Sequence, residues 1–261
     1  MNLIAVDIGN TNIAVGLFLK NKEEYIKSVP GGSKAKLMEL FKAAWAKIPI
    51  LETSKAKKRD GVIVVSSVKP AWTTQVRQIA RQSLGEKILL IGKEIPFPMD
   101  LSVKESGKIG TDRVLSASAA YAVVESAVVI ADFGTAVTID LVDDRGVFVG
   151  GVIFPGFEIS ADALKQKTAQ LPKIKVKRPK MPFGKNTTEA INCGLYYSAV
   201  GTLEEVIRRY AEKIGRWPHT IITGAAAELI KDDCDFIDSY VPNLVIKGIA
   251  LAYQKYIEQR Q

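Results

Sequence analysis

The sequence contains few of the residues that build metal centres and disulfide frameworks. Its 261 residues include two cysteines, Cys193 and Cys234, and one histidine, His219. The cysteines lack the paired spacing of a zinc site or a disulfide framework, and their scarcity favours a reducing compartment. The histidine precedes a predicted strand, where a packing or surface role is more common than catalysis. The chemistry of the chain is therefore expected from its carboxylates, amides and hydroxyls.

Long apolar runs are also missing. No apolar stretch has the length needed to span a bilayer. The first apolar run is interrupted by Asp7 and has no basic segment before it, unlike the hydrophobic region of a signal peptide. These absences predict a cytoplasmic protein with no membrane partner.

Two widespread nucleotide-binding motifs are absent. Gly-Lys pairs occur at residues 92–93, 107–108 and 184–185, but neither Ser nor Thr follows any of them, so there is no Walker A motif. The GxGxxG fingerprint of dinucleotide-binding folds is missing as well. The sequence therefore disfavours the classical P-loop and Rossmann folds.

Positive charge is in excess but is not concentrated. The chain has 36 Lys and Arg against 28 Asp and Glu, a net charge of +8. The densest basic stretches have no interleaved aromatic residues and fall where loops are expected, which is typical of solvated surface charge. No nucleic acid partner is therefore expected, and the positive field favours small anionic substrates.

One short signature occurs twice. Residues 3–12 read LIAVDIGNTN and residues 128–138 read VVIADFGTAVT, so that in each copy an apolar run ends in Asp-x-Gly and a second apolar run follows. The two aspartates are Asp7 and Asp132. A repeated strand, acidic turn and strand is the unit that two lobes would need to enclose a nucleotide phosphate and its metal ion.

The residue types of this signature suit phosphate and metal. A carboxylate at a strand end can hold Mg²⁺, usually through water. The glycine that follows allows close approach of a phosphate and a positive φ, and Asn and Thr supply hydrogen-bond donors. An ordinary hairpin turn is the alternative. The second copy places Gly134, Thr135 and Thr138 equivalently and favours phosphate binding.

A third polar element lies between the two copies. Residues 110–113 read Gly-Thr-Asp-Arg, directly before an alanine-rich helical stretch. Asp112 could accept the proton of an attacking hydroxyl, and Arg113 could clamp a carboxylate or phosphate. An acidic helix cap with a solvent-exposed arginine explains the same spacing equally well.

The order of predicted elements is that of an α/β protein. Strands alternate with helices in both halves, and we predict two domains, residues 1–115 and 116–261. Residues 92–109 are rich in Gly, Pro, Ser and charge and predict a long surface loop. A threonine, Thr187 or Thr188, is expected to cap a long helix, and Lys247–Ile257 is expected to form the last helix.

Together these motifs resemble those of the type III pantothenate kinases, a family of the actin-like, sugar-kinase-like ATPase superfamily. The resemblance runs along nearly the whole chain. It implies an α/β, duplicated actin-like (ribonuclease H-like) fold with a cleft between two lobes. Six segments carry it in the right order: DIGNTN (7–12), GTDR (110–113), ADFGTAVTID (131–140), GGVIFPG (150–156), GKNTTEAINCG (184–194) and VPNLVIKGIALA (241–252).

The family phosphorylates pantothenate from ATP to give 4'-phosphopantothenate, the first step of coenzyme A biosynthesis. The resemblance thus implies pantothenate and ATP as ligands, and Mg²⁺ with a monovalent cation, K⁺ or NH₄⁺, as cofactors. It also implies a homodimer. The first phosphate loop would consist of Asp7, Ile8, Gly9, Asn10, Thr11, Asn12, Ile13 and Ala14.

The resemblance also assigns roles to individual residues. Asp112 would be the general base, with Gly110, Thr111 and Arg113 around pantothenate. Thr187 would close the pantothenate pocket. Asp7 would assist Mg²⁺ binding, Asp132 would hold the monovalent cation, and Gly134 and Thr135 would contact ATP.

Two other functions are compatible with the sequence. A non-catalytic paralogue could act as an accessory or regulatory binding protein, although the retained aspartates at 7, 112 and 132 weigh against it. A kinase of another small hydroxylated substrate, such as a sugar, is the second alternative. The 97–109 segment keeps it open, because relatives commonly have tyrosine where this chain has Val103 and proline where it has Ser106.

Overall fold

The computed structural model describes residues 1–51, 53 and 58–260. The strands of these residues, in chain order, are β1 (Leu3–Ile8), β2 (Asn12–Leu19), β3 (Lys22–Pro30), β4 (Val62–Ser67), β5 (Ile88–Leu90), β6 (Val128–Phe133), β7 (Ala136–Val142), β8 (Phe148–Pro155), β9 (His219–Thr223) and β10 (Ser239–Tyr240). The α-helices are α1 (Lys34–Lys47), α2 (Pro70–Ile79), α3 (Thr111–Val124), α4 (Phe157–Lys167), α5 (Thr187–Ile214) and α6 (Leu244–Glu258). A π turn (Ala80–Leu84) extends α2, and short 3₁₀ turns occur at Ser106–Lys108 and Ala227–Leu229. None of the helices in the described ranges is both long and apolar enough to cross a membrane.

The two halves of the chain build the same sheet twice. The strand orders are β3-β2-β1-β4-β5 and, in the second sheet, β8-β7-β6-β9-β10. In both, the first strand pairs antiparallel with the second and parallel with the fourth. The predicted α/β duplication is confirmed.

The chain separates into two compact units. Unit 1 contains Met1–Asp100, Lys104–Ala119 and Asn243–Gln261, and unit 2 contains Leu101–Val103 and Ala120–Pro242. The predicted division at residue 115 assigned everything after it to the second domain. The structure instead groups α6 with unit 1.

Helix α6 belongs to unit 1 because it buries one face of the first sheet. Strands β1 and β4 begin with four consecutive apolar residues each, as expected of parallel strands covered on both faces. Helices α1 and α2 cover one face. The other face, which includes Leu3, Ala5 and Val64, packs with Ile246 and Ile249 of α6. Without α6 this face would have been left open to water, and the amphipathic pattern of α6 alone does not say which sheet it covers.

Other differences from the predicted elements are local. Strand β3 was not predicted because its sequence, KEEYIKSVP, is charged and mostly exposed, as is common for an edge strand. The long helix α5 is capped by Asn186, whose side chain accepts a hydrogen bond from the Glu189 N–H at 2.9 Å, and not by a threonine. The 92–109 segment is not a plain surface loop, since Ile95 within it is fully buried.

Candidate functional site

The first Asp-x-Gly signature forms the turn between β1 and β2. Asp7 is half-buried near the end of β1, where it faces Ala14 on β2 and Ser66 on β4 in the strand register. The Gly9 N–H donates to the Asn12 carbonyl at 3.1 Å and closes the turn. Exposed side chains then follow at the tip of the turn: Asn10, Thr11 and Asn12.

The second signature forms the matching turn in unit 2. Asp132 is half-buried on β6, opposite Thr138 on β7 and beside Thr223 on β9. The Gly134 N–H donates to the Ala136 carbonyl at 3.1 Å, and Thr135 is exposed. The two turns therefore present a carboxylate, a glycine and hydroxyl groups in equivalent places. A positive φ was expected at these glycines, but neither Gly9 nor Gly134 is among the described glycines that adopt one.

Two glycines shape the surroundings of the second turn. The Gly156 N–H donates to the Thr135 carbonyl at 3.1 Å, and a side chain at Gly156 would collide with the carbonyl oxygens of Gly134 and Thr135. Gly224 has a φ of 93°, and a Cβ there would collide with the Asp132 carboxylate. Glycine is therefore needed at Gly224 for both reasons, its positive φ and its close packing against Asp132.

The third element, Gly110–Arg113, begins helix α3 in unit 1. Asp112 lies in the first turn, and its Oδ1 accepts a hydrogen bond from the Arg113 N–H at 2.9 Å. Burial raises the pKa of the Asp112 carboxyl, and the Arg113 N–H and guanidinium charge oppose that rise in part. A carboxylate with a raised pKa accepts a proton more readily than an ordinary one, which suits a general base.

The start of α3 is anchored to the sheet through hydroxyl groups. Thr111 Oγ1 lies 2.9 Å from Oγ of Ser66, which is fully buried at the end of β4. Next to it, Thr73 Oγ1 donates to Ser67 Oγ at 2.6 Å. Neither serine is predicted as a site residue from the sequence. The signal for them in the sequence is a pair of polar residues at the end of an otherwise apolar strand. That strand runs parallel to the strand of Asp7.

A cavity of about 540 Å³ lies entirely within unit 1, at the carboxyl ends of β4 and β5. This is the edge of a parallel sheet at which α/β proteins usually bind ligands. Gly110 and Thr111 form part of its wall, together with the apolar Phe97 and Leu90. Its lining also carries three cations and four hydroxyl groups: Arg77, Lys93, Lys108, Ser67, Thr73, Thr74 and Thr111. Such a lining suits a small, partly apolar anion with hydroxyl groups of its own.

The remaining predicted site residues are not among those that line this cavity. Arg113 is half-buried directly after Asp112 and forms interactions of its own. Thr187 is the exposed first residue of α5 in unit 2. Within the described ranges, no group of three or more His, Cys, Asp or Glu side chains could hold a metal ion. A metal ion held by Asp7 or Asp132 would thus take its other ligands from water, backbone oxygens or a bound phosphate.

Comparisons with known proteins point in one direction. A family model described as type III pantothenate kinase matches residues 3–209. A type III pantothenate kinase of Dehalococcoides mccartyi is 31% identical over 252 residues, covering 97% of this chain and 97% of that protein. Those of Syntrophotalea carbinolica and Moorella thermoacetica are 31% and 30% identical, and each covers at least 96% of both chains.

Solved structures support the same fold. A protein of Campylobacter jejuni named as a Baf family transcriptional activator superposes with a TM-score of 0.60 at 16% identity, over 98% of both chains. The MreB5 protein of Spiroplasma citri bound to AMPPNP superposes with a TM-score of 0.50 at 11% identity, over 100% of this chain and 99% of that one. These likenesses concern the fold alone.

Proposed function

This chain belongs to the type III pantothenate kinase family, and we propose that it transfers a phosphoryl group from ATP to the hydroxyl of pantothenate, the first step of coenzyme A biosynthesis. The observation that carries the proposal is the position of Asp112. This carboxylate has a raised pKa and stands at the start of α3, directly after Gly110 and Thr111, which both line the cavity of unit 1.

Asp112 is the general base in this proposal. It accepts the proton of the pantothenate hydroxyl as that oxygen attacks the transferred phosphorus. Gly110, Thr111 and Arg113 position the acceptor, and Thr187 is a further substrate-binding residue in this proposal. Pantothenate is a carboxylic acid with hydroxyl groups, and the cationic and hydroxyl-bearing lining of the cavity fits both. The cavity in unit 1 is therefore the proposed acceptor site.

The two turns are the proposed phosphate loops. Residues 7–14 bind ATP through exposed Asn and Thr side chains and backbone N–H groups, and Gly134 and Thr135 are the proposed ATP contacts of the second signature. Mg²⁺ commonly binds to one or two carboxylates plus water and substrate phosphates, and the half-buried carboxylate of Asp7 fits that requirement. When bound, the ion neutralises charge on the phosphates. The protein contributes mainly positioning and the base.

The chain is also inferred to act as a cytoplasmic homodimer. Strand β8 is the edge of its sheet, and it exposes Val149, Val152 and Ile153. Ile159, on the helix that follows, is exposed as well. An edge strand with several exposed apolar side chains is a liability in a monomer, and a second copy of the chain would cover it. The low cysteine content supports a reducing compartment.

The proposed function is tested by measuring ADP release with pantothenate and with a panel of small sugars, in potassium buffer. We expect turnover with pantothenate and only background rates with the sugars. Release of ADP with a sugar but not with pantothenate would instead favour the other kinase function. Absence of turnover with every acceptor, combined with ATP binding, would favour the non-catalytic function.

Asp132 is proposed to hold the monovalent cation. The half-buried carboxylate of Asp132 near the end of β6, beside Thr223 on β9, supports this assignment, because carboxylate and hydroxyl oxygens are ligands of such cations. We expect the kinase rate to be lost in sodium alone and restored by potassium or ammonium. Asp132→Asn should lower the potassium-dependent rate, because it removes the negative charge. Equal rates of the unsubstituted protein in sodium and potassium would argue against this role.

A further inference from the structure

A lysine that belongs to none of the sequence motifs lies against the first phosphate loop. Lys69 is half-buried and connects β4 to α2. Its Nζ donates a hydrogen bond to the carbonyl of Asn10 at 3.1 Å. The same Nζ stands 3.5 Å from the centroid of the Trp72 ring. The ammonium group is thus held beside the loop tip by one hydrogen bond and one cation–π contact.

Trp72 is itself fixed by its fit against the segment after β3. A side chain at Gly31 would overlap the Trp72 ring, so the close packing of the ring requires glycine there. The Gly31 N–H donates to the Thr11 carbonyl at 3.1 Å. Two neighbouring carbonyls at the loop tip are therefore held in place. Gly31 binds the carbonyl of Thr11 and Lys69 binds the carbonyl of Asn10, and both Gly31 and Lys69 contact Trp72.

Within the part of the chain that the structure describes, Lys69 forms no ion pair. An ammonium group has three N–H donors, and the bond to Asn10 uses one of them. A cation with donors left over, beside exposed Asn and Thr side chains, is well placed to take an anion. Lysine commonly binds phosphate as a point charge.

We propose that Lys69 binds the polyphosphate of the nucleotide at the first phosphate loop, and that Trp72 and Gly31 form the platform that positions it. The inference rests on the proposed function, because it takes residues 7–14 to be the ATP phosphate loop. It adds to that site a cation that neutralises phosphate charge, which is what phosphoryl transfer requires of the protein.

The test is calorimetric binding of ATP and of adenosine to Lys69→Met, Lys69→Arg and the unsubstituted protein, with steady-state kinetics. We expect Lys69→Met to weaken ATP binding and to raise the KM for ATP about 10- to 100-fold, the usual range for a hydrogen bond to a charged group. The KM for pantothenate and the affinity for adenosine should stay unchanged. Lys69→Arg should recover most of the ATP affinity, because the cation is kept.

The platform and the control are tested in the same way. Trp72→Leu should weaken ATP binding about 2- to 5-fold through loss of the cation–π contact. Lys47→Met is the matched control, since Lys47 also lies over an aromatic ring, that of Tyr25, at 5.1 Å in the same unit. It should leave both ligands unaffected.

Several outcomes would overturn the inference. Unchanged ATP affinity in Lys69→Met, or equal losses for ATP and adenosine, would show a merely structural lysine. Failure of the unsubstituted protein to bind ATP would overturn both this inference and the proposed function. ATP binding without phosphorylation of pantothenate would overturn the proposed function alone, and the role of Lys69 would still be decided by the binding data.

Discussion

Asp112→Asn is expected to lower kcat by about 10²- to 10⁴-fold, the usual contribution of a general base. Asparagine keeps the oxygen that accepts the Arg113 N–H at 2.9 Å, so the start of α3 should be preserved. The amide cannot take the proton of the acceptor hydroxyl. ATP binding, measured by calorimetry, should remain close to that of the unsubstituted protein, because the proposed phosphate loops are elsewhere in the sequence.

The raised pKa of Asp112 gives this prediction a pH dependence and a stability control. The base works when ionised, so kcat should fall as the pH drops through a pKa that lies above the ordinary value of a carboxyl group. The pKa of Asp112 is higher in the folded protein than in the unfolded chain, so protonation of this carboxyl favours the folded state. That contribution to stability is lost as the pH rises through the pKa of the folded state. At neutral pH the ionised carboxylate therefore costs stability, and Asp112→Asn should melt at the same temperature or higher.

Asp100→Asn serves as the matched control for this substitution. Asp100 is an exposed carboxylate of the same unit, before the segment that leads to α3. Its replacement should leave kcat and the melting temperature unchanged. A near-normal rate for Asp112→Asn would remove Asp112 from the role of base. A rate lost together with a lowered melting temperature would point to a structural effect.

The two Asp-x-Gly turns and the start of α3 could be predicted because each is local. An apolar run, an acidic turn and a second apolar run specify a hairpin within ten or so residues, and the repeat showed that the fold is duplicated. Asp112 was a candidate because its neighbours, Gly110 and Arg113, belong to a short motif.

The platform of Lys69 could not be predicted in this way. It joins Asn10, Gly31 and Trp72, which are distant in sequence and meet only because β1 and β4 lie side by side in the sheet. In the same way, α6 belongs to unit 1 because it packs on the face of the first sheet that α1 and α2 leave uncovered. Register and long-range packing decide both, and a single sequence carries no local signal for either.

Gly110→Ala is expected to lower kcat by about 10²-fold, the cost of misplacing a reacting group by about 1 Å. A Cβ at residue 110 would lie 2.5 Å from Asp112 Oδ1, closer than real Cβ contacts allow. The carboxylate must then shift from the position in which it accepts the Arg113 N–H. The backbone of Gly110 is not among the described glycines with positive φ, so alanine itself adds no strain.

Gly107→Ala separates this effect from a general loss of glycine in the segment. No described atom lies within 4 Å of a Cβ built at Gly107, and its φ is not positive. Because Gly107 lines the proposed acceptor cavity, its substitution should change at most the KM for pantothenate and leave kcat normal. Its stability should be slightly higher, by about 0.4–1 kcal/mol, because alanine restricts the unfolded chain. Normal kinetics for Gly110→Ala would mean that the reaction proceeds with a displaced Asp112. This would contradict the role of Asp112 as a general base, which must contact the acceptor hydroxyl. Equal losses in both variants would assign the effect to the flexibility of the segment. A loss confined to Gly110→Ala, with the KM for ATP unchanged, ties the rate to the position of one carboxylate.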